Sequence, residues 1–127
     1  MLVGFTTHIG SVTAASRWGG DAELRPVRPS LPGSYERLFH ESGIERMALP
    51  LRSDLDLASS LTEERLERAI GVLYLPKTER QSHYFRASLA AQFDMVFHFD
   101  VTRAVKPLER TALWPSDDPP ETYPSGL

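Results

Sequence analysis

Four histidines and one aspartate are the residues of this chain whose types and positions could do acid–base chemistry. His83 follows Ser82 at what reads as the start of a helix, where unpaired backbone N–H groups and the helix dipole disfavour the imidazolium. A neutral imidazole there could serve as a general base, or as a solvated first-turn residue with no chemical role. His98 lies in the apolar run "MVFHF", on the same strand face as Val96 and Asp100, so a carboxylate two residues away could orient its ring. A buried histidine satisfied by its neighbours is the competing reading. His8 stands after two threonines at the mouth of a long connection, where an open α/β sheet would place a ligand. By the same strand-end argument Asp100 is a site candidate. His40 falls one turn from the end of a short helix, where it helps the dipole, and is assigned no chemistry.

The elements that must position these groups come from periodicity and caps. "LVGFTT" (2–7) reads as a strand. The stretch from His8 to Gly33 reads as a long connection, a lid or binding loop. "SYERLFHESG" predicts a helix with Ser34 as N-cap, Leu38 and Phe39 turned inward, and Gly43 as the stop. "RMALPL" is a strand near an edge, because Pro50 cannot donate to a ladder, and 54–60 is a polar connection. "LTEERLERAI" predicts a helix capped by Thr62, "IGVLYL" a buried strand closed by Pro76, and 82–93 a helix carrying Phe85, Leu89 and Phe93 at intervals of four. With "MVFHF" as the next strand, residues 70–100 have the order and length of a βαβ unit. The expected fold is therefore α/β: four candidate strands in a mostly parallel sheet with flanking helices, over 1–105. The Pro- and acid-rich 106–127 is expected to be a strap or tail.

At 127 residues the chain suits one compact domain. Its net charge of −3, with both signs interspersed, gives no basic face for nucleic acid or anionic lipid. The absence of cysteine removes disulfides, thiolate zinc sites and cysteine nucleophiles, and fits the cytoplasm as the default compartment. "MLVGFTTHIG" lacks the features of a signal peptide, and no apolar run approaches a membrane span, so no membrane association is expected. There is no GxSxG elbow, phosphate loop, GxGxxG or HExxH, and four scattered histidines are no metal signature.

In order along the chain, "VGFTTHIGSVTAAS", "RPSLPGSYERLFHESG", "LERAIGVLYLPKTERQSHYF", "QFDMVFHFDVTRAVKPLE" and "PETYPSGL" resemble successive blocks of the C-terminal portion of the erythromycin esterase-like proteins. The resemblance implies a hydrolase-like α/β protein whose better-known members open the lactone ring of macrolide antibiotics, a response to antibiotic. A histidine there activates water, supported by glutamates, with no metal or other cofactor. It further implies that the family's HNxH-type histidine pair and its other catalytic histidine and glutamates belong upstream of the blocks seen here. On that basis the chain is expected to be the last quarter to third of a larger domain, beginning on a strand, with an open sheet edge, an uncovered apolar face and little or no hydrolysis of its own. His8, Arg80, His83 and Tyr84 are the expected substrate-lining residues, with His83 the candidate catalyst. The partners to consider are a small-molecule ester or macrolide, a separately encoded N-terminal half, or a second copy of the chain. The alternative is a non-enzymatic α/β binding module.

Overall fold

The computed structural model describes residues 1–106 and 108; apart from Lys106 and Leu108, the expected strap or tail lies outside the described residues. The chain begins with a long strand, β1 (Val3–Ala14), followed by β2 (Glu23–Val27), α1 (Tyr35–Glu41), β3 (Arg46–Leu49) and α2 (Leu55–Ser60). Then come β4 (Arg65–Arg68), a single 3₁₀ turn at Pro76–Thr78, α3 (Glu79–Ser82), β5 (Tyr84–Ala87), α4 (Leu89–Gln92) and β6 (Met95–Thr102). Four strands form one sheet in the order β2-β1-β6-β3, and β4 and β5 form a separate antiparallel pair.

The sheet is mixed, which corrects the expectation of a mostly parallel one. Only β1 and β6 run parallel, Phe5 opposite Phe97 and Thr7 opposite Phe99, whereas β2 and β3 each pair antiparallel to a neighbour. Gly10 is the pivot of β1. It stands opposite both Val27 of β2 and Thr102 of β6, its φ is +138°, and a Cβ there would collide with the Thr102 backbone.

Three sequence expectations hold in detail. Ser34 caps α1 by accepting the Arg37 N–H, Gly43 adopts a left-handed φ of +75°, and Phe39 is buried. β1 and β6 are strands, each longer than expected. β3 ends at Leu49, directly before Pro50.

The βαβ unit is not formed. The segment read as a helix over 61–70 contains β4, and the helix read over 82–93 is β5 followed by the four-residue α4. "IGVLYL" is not a strand; it makes one isolated bridge, Leu73 to Ala15, just past the end of β1. The connection 54–60 is helical instead, Asp54 accepting the Leu57 N–H as its cap. β2 lies inside what the sequence presented as one long loop.

Tertiary contacts decided these segments against their local preference. Tyr35, Phe39, Leu49, Leu51, Leu61, Leu89 and Val96 form one core between α1 and the inner face of the sheet, and Ala14, Val27 and Tyr74 form a smaller one. The Tyr35 hydroxyl accepts the Leu89 N–H and donates to the carbonyls of the chain approaching β4. With Leu89 anchored there, Tyr84–Ala87 is extended and pairs with Arg65–Arg68.

Arg68 joins the two sheets. Its guanidinium donates to the carbonyls of Thr7 (2.7 Å), His8 (3.0 Å) and Arg28 (2.7 Å), and it pairs with Glu79 at 3.3 Å. Its backbone N–H donates to Glu36, and the guanidinium lies over the Tyr84 ring at 5.7 Å. Among the described residues no helix is long and apolar enough to cross a membrane.

Two outcomes follow from this buried network. Replacing Arg68 with Met leaves three carbonyls without their donor and the buried Glu79 carboxylate without its counter-charge, and is expected to cost about 3–5 kcal/mol in urea unfolding, or to abolish the cooperative transition. Burial and the neighbouring Glu36 push the Glu67 carboxyl up to about 7. The folded state therefore holds a proton that the unfolded chain releases near 4.5, and stability is lost as pH rises through that window. Glu67→Gln is expected to be the more stable protein by about 2 kcal/mol at pH 8, the gain fading toward pH 4; equal unfolding midpoints at both pH values would contradict this.

Candidate functional site

β1, the loop after β2, α1 and β6 bring six polar side chains together on the inner face of the sheet, toward the carboxyl end of the parallel pair. His8 and Thr6 come from β1, Ser30 from the loop, His40 from the last turn of α1, and His98 and Asp100 from β6. The strand periodicity of two turns Thr6 and His8 inward on β1 and Val96, His98 and Asp100 inward on β6. The α1 caps fix its length and so bring His40 over the strands.

Asp100 is the centre of the cluster. His40 Nδ1 lies 2.9 and 3.1 Å from its two carboxylate oxygens, and His98 Nε2 lies 3.4 Å from one of them. Both ring nitrogens donate, which leaves His40 Nε2 with a free lone pair when that ring is neutral. His98 Nδ1 accepts from the Thr6 hydroxyl at 2.9 Å, and its ring meets Phe39 edge-on at 5.3 Å. His8 stacks on His40 with ring centroids 3.6 Å apart and planes within 12°. Its Nδ1 takes the Ser30 backbone N–H at 3.3 Å and the Ser30 hydroxyl at 2.6 Å, so the proton of the neutral ring sits on Nε2. The Ser30 carbonyl is in turn held by Arg37.

The electrostatics keep the buried rings neutral. Burial lowers the affinity of His8 for a proton, and the adjacent His40 lowers it further, outweighing the pull of Asp100. Burial likewise depresses His98, against the raising effect of its bond to Asp100. Burial on its own would raise Asp100, but the hydrogen bonds from His40 and His98 overcome it and hold the carboxylate below its usual range. His98 is fully buried, while the His40 side chain keeps 39% of its surface in solvent. The cluster is thus an anchored carboxylate, one reachable imidazole and two buried neutral ones. It can hold an imidazole in a fixed tautomer and accept a proton from water or a hydroxyl. Among the described residues no group of three or more His, Cys, Asp and Glu side chains is arranged to hold a metal ion.

Of the expected lining residues, only His8 is in this cluster, and it lies within β1 instead of at its end. His83 is not at a helix start. It closes α3, its Nε2 takes the Leu75 N–H at 2.9 Å and its Nδ1 donates to the Ala69 carbonyl at 3.0 Å, so both nitrogens are engaged with backbone. Arg80 is exposed on α3, and Tyr84 is buried with its hydroxyl accepting the Leu31 N–H. The expected pairing of His98 with Asp100 is present. His40, Ser30 and Thr6 were missed; the only sequence trace of His40's role is that it shares α1's inward side with Glu36.

The family described as Erythromycin esterase matches residues 1–102. The chain belongs to the erythromycin esterase family. Two solved structures share its fold, each with a TM-score of 0.63 over 80% of this chain. One, described as a succinoglycan biosynthesis protein, is 24% identical, and the other, from Bacillus cereus, is 16% identical. The chain spans 24% of the length of each.

The site makes a direct expectation for NMR. His8 and His98 should titrate below the usual 6.5, and Asp100→Asn should lower His98 further by removing the group that raises it. Because both values are depressed in the fold, the stability linked to these rings is intact above 6.5 and is lost as pH falls below it. A His98 titration at or above 6.5 would contradict the arrangement.

Proposed function

We propose that this member of the erythromycin esterase family contributes one wall of a carboxylic-ester-hydrolysing site, the lactone of a macrolide being the ester best known from the family it resembles. The observation that carries the reading is the two-oxygen hold of Asp100 on His40 Nδ1, beside the carboxyl ends of two parallel strands.

In this reading Asp100 fixes the tautomer of His40 and stabilises the imidazolium that forms when Nε2 takes a proton from the attacking water. His8, stacked on one face of the ring, restrains it, and its neutrality avoids a second positive charge at 3.6 Å. Ser30 is fully buried and so serves as the hydrogen-bond partner of His8, not as a nucleophile. Arg37 and Arg68 are engaged with backbone carbonyls, so His8 Nε2–H is the donor the cluster could turn to the oxyanion of a tetrahedral intermediate, and an oxyanion hole needs further donors. Those donors belong, on this proposal, to the part of a family-length protein that the 127-residue chain does not span, so the chain alone is not a competent esterase.

The test is hydrolysis of a macrolide lactone and of a p-nitrophenyl ester by the purified chain, alone and then joined to the unmatched part of a solved relative. No turnover above background is expected from the chain alone, and in the joined protein His40→Ala should lower kcat by about 10²–10⁴. Turnover by the chain alone that His40→Ala removes would show that its site is complete. Turnover in the joined protein that is indifferent to His40→Ala and to Asp100→Asn would take the role away from this pair.

A further inference from the structure

Among the described residues, the outer face of the sheet gathers exposed apolar side chains. Val3, Phe5 and Ile9 of β1 alternate outward beside Phe97, Phe99 and Val101 of β6. Phe5 stacks on Phe97 at 5.6 Å yet is 70% exposed, and Val101 is 64% exposed. The inner face is covered by α1 and the main core, so β6, apolar on both sides of its first half, has one face packed and one bare. Parallel pairs such as β1 and β6 are found where both faces are covered.

A second observation lies beside the first. A cavity of about 320 Å³ opens between Phe5, Thr7 and Phe99 on one side and Glu36, Arg68 and Ile70 on the other. Glu36 is 1% exposed, and its Oε2 has no hydrogen-bond partner, although its Oε1 accepts the Arg68 N–H. The Nη1 and Nη2 groups of Arg68 are bound to three carbonyls and Glu79 instead. Burial raises the affinity of Glu36 for a proton while Oε2 lacks a partner, and a donor brought to it would favour the ionised form instead. Alongside Val3–Ile9, moreover, the edge of β1 away from β6 has no paired strand among the described residues, as β2 joins only at Gly10.

We infer that this face and cavity are a docking surface for the part of a family-length chain that the present chain does not span, which lays an apolar helical face on the sheet and inserts a hydrogen-bond donor against Glu36 Oε2. About three quarters of each solved relative has no counterpart here, which is ample polypeptide for such a layer. Helices are the elements that cover parallel strands, and the width of the bare patch, two adjacent strands, suits one helix stripe. The inference rests on the same reading of the chain as one wall of a larger site, but it is read out by association and not by turnover.

The probe is the portion of the 24%-identical solved relative that this chain does not span, produced as a separate polypeptide, with the relative's own matching quarter as the positive control. Sedimentation and titration calorimetry should show a 1:1 complex with the native chain. Phe5→Glu combined with Phe99→Glu, both at exposed positions, should weaken it about tenfold or more while leaving the thermal transition of the free chain unchanged. Glu36→Gln, which keeps one oxygen but cannot accept at both ends, should weaken it by a similar factor while the free chain keeps a cooperative thermal transition, since the amide oxygen can still take the Arg68 N–H. Three results would overturn the inference: affinity indifferent to both sets of substitutions; a control that binds while this chain does not; or a homodimer that the phenylalanine substitutions dissolve, which would make a second copy the occupant. A failed hydrolysis assay with the complex formed would count against the esterase reading alone.

Discussion

The buried guanidinium of Arg68 is the constraint on which the arrangement of this chain depends. Arg68 ends β4, in the two-stranded sheet, yet its side chain closes on carbonyls of β1, in the four-stranded one. A charge this deeply buried is tolerable only when every N–H finds an acceptor and a counter-charge is near. Glu79 provides the counter-charge and is itself engaged by the Tyr74 hydroxyl, which also takes the Arg28 N–H. A single side chain thereby ties together β1, β4, the loop after β2 and the start of α3. The His8 carbonyl is one of its acceptors, so the network that joins the sheets also fixes the strand residue at the edge of the histidine cluster.

Two polar systems therefore share the interior with opposite logic. Around Arg68, charges are retained and neutralised pairwise, and the leftover carboxylates Glu36 and Glu67 are driven toward their protonated forms by burial. Around Asp100, a single carboxylate stays ionised because two imidazoles donate to it, and the buried imidazoles stay neutral because burial and mutual proximity forbid more positive charge. The β1 backbone lies between them. The result is a cluster whose one solvent-reachable ring, His40, has its orientation set by Asp100 and its back covered by His8.

What could be read in the sequence was whatever local chemistry determines. α1 carried its own cap and its own stop, and β6 carried its own parity, so Ser34, Gly43 and the shared face of His98 and Asp100 were legible. β4 and β5 were not, because Arg65–Arg68 and Tyr84–Ala87 are strands only by virtue of each other and of buried Glu67 and Arg68, residues whose types suggest a solvated helix face. The βαβ reading of 70–100 failed for the same reason: an apolar run of strand length does not say whether a sheet has room for it, and the place beside β1 went to β2. His40 was invisible as a site residue because its partner Asp100 is sixty positions away, a distance that only the packing of α1 across β6 removes.

The same packing explains why one face of the sheet is finished and the other is not. The inward residues Thr6, His8, Val96 and His98 are buried in the core or the histidine cluster, while the outward Phe5 and Val101 largely, and Phe99 in part, meet solvent. A sheet stabilised from one side only must hold its parallel pair together through backbone bonds and the inner core, and it leaves apolar area whose burial would contribute about 25 cal/mol for each Å² removed from water. Glu36 links that deficit to the site: its carboxyl is bound on one oxygen to the Arg68 backbone, its other oxygen has no partner, and the residue lines the cavity beside Phe5. Covering the outer face would therefore also complete the hydrogen bonding of the residue that braces Arg68. Through the Arg68 contact with the His8 carbonyl, it would stiffen the strand that carries the ring stacked on His40.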